Sequence, residues 1–130
     1  MAKTEYKNSR FDDSIVDAML VSNALNKQNG SKEKFTATDA IIMSIVHSYY
    51  CSDTKCFASN KFFAGRALTT EPTIQKAINK LCDLGFISKK SSYKDGIRHR
   101  VLIYNEDVVE EFKIKMGDVL LDYDEDEDEN

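Results

Sequence analysis

Gln75, Lys76, Asn79 and Lys80 stand at i, i+1, i+4 and i+5 in the run 69–84. On a helix these offsets gather all four side chains on one face. A side-chain amide can offer a paired donor and acceptor to the edge of adenine in a DNA major groove, and lysine reaches guanine or a phosphate. Ile74, Ala77, Ile78 and Leu81 recur at helical spacing on the other side, so the same segment carries an inward apolar stripe. Thr70 is placed to cap the start, and Pro72 falls in the first turn, where a missing N–H costs nothing. Two readings fit this segment: a helix that reads DNA, or an amphipathic helix whose polar face is merely solvated. Taken alone, it favours the plainer one.

The charge distribution shifts that balance. The chain has 130 residues and a net charge of −4, but the charge is divided between two zones. Residues 122–129 hold seven acids and no base, whereas 55–100 hold ten bases against three acids. A basic block of that kind is the electrostatic footprint of a nucleic-acid binder, so the low average does not count against DNA. With 42% hydrophobic residues, the composition suits one domain with one modest core. No apolar run approaches a membrane span and no secretory h-region follows Met1, which makes a cytoplasmic protein the expectation. Cys51, Cys56 and Cys82 are an odd number without a C-x-x-C pair, as in a reduced compartment.

No catalytic set is visible. His47 and His99 are the only histidines, and neither stands in a motif with a nucleophile and an orienting acid. The five glycines are scattered and form no phosphate loop. His47 and Cys51 lie at i, i+4 with Cys56 close behind, and His99 or Cys82 could complete four zinc ligands. Their spacing matches no finger or ribbon, so packed thiols and no metal or cofactor are the expectation.

Several elements must position the amide–lysine face. Residues 12–25 read as a helix with Ile15, Ala18 and Met19 on one side, after a polar, frayed arm. Residues 26–34 form a loop turning at Asn29-Gly30. Thr36 or Thr38 opens a helix reaching about Tyr50, whose broad face of Ile41, Ile42, Ile45, Val46 and Tyr49 marks it as the most buried. Cys56-Phe57-Ala58 is short enough to be a small strand. Ser59 then caps a helix to Leu68 that packs through Phe62, Phe63, Ala64 and Ala67, with Gly65 inside it as a close approach or a tolerated cost. A tight link leads into the segment first described, and two short helices so joined make a helix-turn-helix. Gly85 suits the position just past its end. Residues 86–93 and 97–104 are strands around the hairpin signal Asp95-Gly96, with Lys89, Lys90, Lys94, Arg98 and Arg100 toward the tip. The fold expected is mainly α with a small β-hairpin wing (α+β).

The run from Phe35 to about Asn105 resembles the winged helix-turn-helix domain of phage and plasmid replication initiators, replisome organisers and related regulators of mobile elements. The likeness rests on 35–39 entering one helix, 56–60 entering the next, Thr73-Ile74-Gln75-Lys76-Ala77-Ile78 with Lys80-Leu81 in the third, Leu84-Gly85-Phe86-Ile87 leading into the wing, and Arg98 and Arg100 on its return. The resemblance implies a DNA-reading role for Thr70, Thr73, Gln75, Lys76, Asn79 and Lys80. It implies backbone contacts from Ser59, Lys61, Lys89, Lys90, Arg98 and Arg100. It implies control of transcription or replication on a phage, plasmid or similar element. The chain leaves no room for a large second domain, which argues against a full initiator.

Four parts are expected: an arm and helix (1–34), the winged domain (35–105), a C-terminal helix (106–121) and a disordered acidic tail (122–130). The terminal helices could cap the core or form a homodimer seam. The tail could confer solubility, compete with DNA for the basic face, or dock a basic partner protein. The rival to DNA binding is a protein-interaction module that keeps the winged helix as a scaffold and engages its partner through the tail and the terminal helices.

Overall fold

The computed structural model describes residues 13–129, with side chains from Ser14 to Val119. The expected arm at the start and residue 130 lie outside the described residues. The described elements run in the order α1 (Asp13–Gln28), α2 (Ala37–Cys51), α3 (Asn60–Ala67), α4 (Glu71–Asp83), β1 (Ile87–Lys94), β2 (Ile97–Tyr104) and α5 (Glu106–Glu129). The fold is a winged helix-turn-helix, mainly α with a small hairpin, and it carries an additional helix before and after.

Each helix start has a local chemical cause. Thr36 caps α2 in a capping box: its hydroxyl accepts from the Asp39 N–H, and the Asp39 carboxylate accepts from the Thr36 N–H at 2.9 Å. Ser59 caps α3 through the Phe62 N–H, and Thr70 caps α4 through the Thr73 N–H. Leu68 ends α3 in a left-handed conformation, and Thr69 and Thr70 complete the turn into α4. At the far end of α4, Gly85 takes φ +83°. Its N–H donates to the Cys82 carbonyl and that of Phe86 to the Leu81 carbonyl, which is the Schellman pattern. That closure turns the chain sharply into β1.

The hairpin is antiparallel, with Ile87 opposite Tyr104 and Lys94 opposite Ile97. Asp95 and Gly96 both have positive φ, as a two-residue type I′ turn requires. Cys56 adds one bridge to Leu102, so the small strand expected before α3 is reduced to a single rung.

Phe63, Ile42, Met43, Val46, Ile74, Ile78, Leu81, Ile87, Leu102 and Val109 form one buried cluster. Each contributes roughly 1.5–3 kcal/mol by leaving water. α1 adds Ile15 and Met19, and an amide clamp fixes its approach. Asn23 donates to the Phe35 carbonyl at 2.9 Å and accepts the Phe35 N–H at 2.7 Å. Phe35 stacks on Phe86, and Phe112 meets both rings at an angle, where α2, the β1 entry and α5 meet. α1 and α5 lie together, and Lys113 of α5 donates to the Ser14 hydroxyl at 2.9 Å.

Two expectations need correction, and one left open between two readings, Gly65, is decided. Phe62 does not pack inward. It is 38% exposed, with the Arg66 guanidinium over its ring, because Phe63 one step on takes the core position. Gly65 is no close approach, since the space above it is open. α5 does not stop near Gly117 or Leu121, and the acidic stretch expected to be disordered continues it as helix to Glu129. Gly117 keeps negative φ and no proline follows it. Nothing in the chain at Gly117 therefore stops the helix there.

Candidate nucleic-acid interface

The two faces of α4 separate as its sequence predicts. Ile74, Ala77, Ile78 and Leu81 are buried. Thr73, Lys76 and Asn79 are exposed and Gln75 is half-buried. Thr70 is exposed, and its hydroxyl is shared between the cap and a 3.0 Å contact to the Thr73 hydroxyl.

Hairpin register sorts the wing bases into two groups. Lys89, Ser91, Arg98 and Arg100 share one face, whereas Lys90, Ser92, Lys94 and His99 share the other. On the first face the Arg98 Nε donates to the Ser91 hydroxyl at 3.1 Å. On the second, Lys94 lies over the Phe57 ring and His99 meets that ring edge-on. Lys55, absent from the expected set, donates to the Ser92 hydroxyl at 3.1 Å. Lys89, Lys90, Ser91, Arg98, His99 and Arg100 line a basic hollow of about 380 Å³.

Arg100 is the least available of these bases. Its guanidinium donates to the Ala58 carbonyl at 2.7 Å and to the Asn60 Oδ1 at 2.6 Å. Burial lowers its pKa. This fork ties the return strand of the wing to the chain entering α3. From there hydrogen bonds continue onto α4. Asn60 donates to the Gln75 Oε1 at 2.8 Å, and Gln75 donates to the Asn79 Oδ1 at 3.0 Å. The same oxygen accepts from Lys89 of β1 at 3.0 Å. Five side chains thus join α3, α4 and both strands of the wing. Asn60 was not among the residues expected from sequence. Its partners lie 15 and 40 positions away, so no local signal marks it.

Lys80 lies outside this group. Its Nζ pairs with Asp39 at 2.5 Å and donates to the Lys34 carbonyl at 3.2 Å. Lys61 is exposed on α3, and Ser59 is engaged as its cap.

His47 and Cys51 do approach, with Nε2 and Sγ 3.2 Å apart. Cys56 is buried beneath the wing, and burial pushes its thiol pKa and that of Cys82 upward, as in packed thiols. Among the described residues no group of three or more His, Cys, Asp or Glu is placed to hold a metal, and no helix is long and apolar enough to cross a membrane.

Residues 34–87 match the family model of a helix-turn-helix domain. The match spans α2, α3 and α4 and ends on the first residue of β1. No curated protein matches the chain.

Proposed function

We propose that this protein binds double-stranded DNA in a sequence-dependent manner, with α4 in the major groove and the wing along the phosphate backbone. On this reading it controls transcription or replication of a phage, plasmid or similar element, in keeping with the resemblance to the winged domains of such elements. The observation that carries the proposal is the joined face of α4 and the wing, where the Gln75 and Asn79 amides meet Lys89 beside exposed Lys76 and Arg98. Thr70, Thr73, Lys61 and Lys94 extend the contact, Ser59 presents the α3 cap, and Arg100 acts by holding the wing. Lys80, held by Asp39, braces α4 against α2. A homodimer would draw on Leu20 of α1 and Ile114 of α5, apolar side chains that remain exposed.

Binding to DNA flanking its own gene, and to an unrelated duplex, across a salt series tests the reading. About five or six phosphate contacts predict a loss of affinity on the order of a thousandfold between about 50 and 200 mM salt. Asn79→Ala and Gln75→Ala should reduce the preference for the specific duplex more than they reduce binding to the unrelated one. Equal weakening on both duplexes would remove the readout role. No binding to either duplex at low salt would remove the DNA reading altogether.

A further inference from the structure

Two cations that can only donate anchor the hydrogen-bond chain across the interface, and they fix the polarity of the three amides between them. Arg100 has no acceptor, so Asn60 must turn its Oδ1 toward it. That leaves the Asn60 Nδ2 for Gln75, which must answer with Oε1 and can pass on only its Nε2 to Asn79. Asn79 therefore accepts with Oδ1. The other end demands the same orientation, because Lys89 also can only donate to that oxygen. The two anchors agree on the assignment.

Asn79 Oδ1 accepts from both Gln75 and Lys89, so both of its lone pairs are engaged within the protein, whereas the half-buried Gln75 spends one lone pair of Oε1 on Asn60. On Asn79 and the lysines beside it, the groups left for a ligand are the two Nδ2 hydrogens of Asn79, the remaining Lys89 hydrogens and the exposed Lys76 ammonium. All of them are donors. The paired donor and acceptor that an amide needs to recognise adenine is not on offer. Guanine presents two acceptors, N7 and O6, in the major groove, whereas adenine and cytosine each place an exocyclic amine donor there. We infer that the face formed by Asn79 and Lys89 is specific for guanine, with Asn60, acting through Gln75, as the positioning residue that sets the amide polarity. This inference rests on the DNA-binding reading and adds the base it selects.

The consequence reaches Asn60. In Asn60→Asp the new side chain can only accept, so Gln75 would turn its Nε2 toward it. Its Oε1 would then accept from Asn79 Nδ2, and Asn79 would release its Oδ1 from exposed Lys89 and present it beside its second Nδ2 hydrogen, the paired acceptor and donor adenine requires.

The full chain is first used to select sites from a randomised duplex pool, and Asn79→Ala then identifies the base position whose preference it relaxes. That position should be guanine. Its replacement by adenine should weaken binding roughly tenfold or more, the discrimination a bidentate base contact supplies. Replacement by 7-deazaguanine, which lacks the N7 acceptor, should weaken it several-fold. Asn60→Asp should shrink the guanine-to-adenine ratio while leaving the salt dependence unchanged, which mere loosening of the fold would not do. Adenine at the Asn79-dependent position, or indifference of the native chain to 7-deazaguanine, overturns the inference and leaves the DNA-binding reading intact. The deaza substitution needs no variant protein, so a poorly folding Asn60→Asp does not blunt the test. Failure to select any sequence at low salt overturns the DNA-binding reading and this inference together.

Discussion

Lys80 shows how far one residue's role can depart from its place in a pattern. Its spacing from Lys76 and Gln75 puts it on the candidate reading face, yet its ammonium lies against Asp39, a fully buried carboxylate. Asp39 Oδ2 also accepts the Thr36 N–H, while Oδ1 has no hydrogen-bond partner. Without Lys80 that carboxylate would be buried with no countercharge, a change that costs on the order of 3–5 kcal/mol for a fully buried pair. Lys80 is itself 39% exposed, which reduces the figure, so Lys80→Met should lower the unfolding free energy by about 2–4 kcal/mol. Lys76→Met should change it by less than about 0.5 kcal/mol, as expected of a surface position, and should act on DNA affinity instead. Urea unfolding of the two variants decides the matter, and equal stability would place Lys80 back on the DNA face. The Thr36–Asp39 capping spacing is visible in the sequence. The pairing of Asp39 with a lysine 41 positions later is not, because it depends on how α4 crosses α2.

At the scale of elements, the features legible in the sequence are those whose chemistry is local. Ser59 and Thr70 as caps, Gly85 after α4 and Asp95-Gly96 at the hairpin tip each act within a few residues, so type and spacing suffice. The inward stripe of α4 is legible for the same reason. The division of the wing bases between two faces, the use of Arg100 as a brace and the continuation of α5 to Glu129 are not, since they depend on register and on long-range partners. Asn60 is the sharpest miss, as it completes the candidate site through contacts that no window of sequence contains. Two glycines test whether local chemistry has been assigned correctly. Gly65 lies within α3 at an ordinary helical φ with open space around it. Gly65→Ala should therefore stabilise the protein by up to about 1 kcal/mol. Gly85 has φ +83°, and an added Cβ would meet Val108 at 3.6 Å. Gly85→Ala should destabilise by about 1–2 kcal/mol through the left-handed backbone. Thermal unfolding should move in opposite directions for the two, and a shared sign would mean one of these helix ends has been misassigned.

Over the whole molecule the governing quantity is the opposition between a basic surface and an acidic helix end. Residues 55–100 carry a surplus of seven positive charges and 122–129 carry seven negative ones, leaving −4 for the chain. On the proposed reading, a DNA duplex meets a net anion at long range and the bases of α4 and the wing at contact. The backbone of the acidic stretch continues α5 as helix. The effect of its charges on DNA then acts through space and is subject to screening, with a Debye length of about 10 Å at 0.1 M salt and about 3 Å at 1 M. Replacing the seven acids by their amides keeps the chain length and removes the opposing field. DNA affinity should rise, on the order of tenfold at about 50 mM salt, and the two proteins should converge as salt approaches about 0.5 M. A gain that persists at high salt would instead mean that the acids contact the basic face directly and compete with DNA for it. No gain at any salt would assign them to solubility or to a basic protein partner. Comparing the salt dependence of the two proteins thus separates a field effect from a docked one, a distinction that affinity at a single ionic strength would miss.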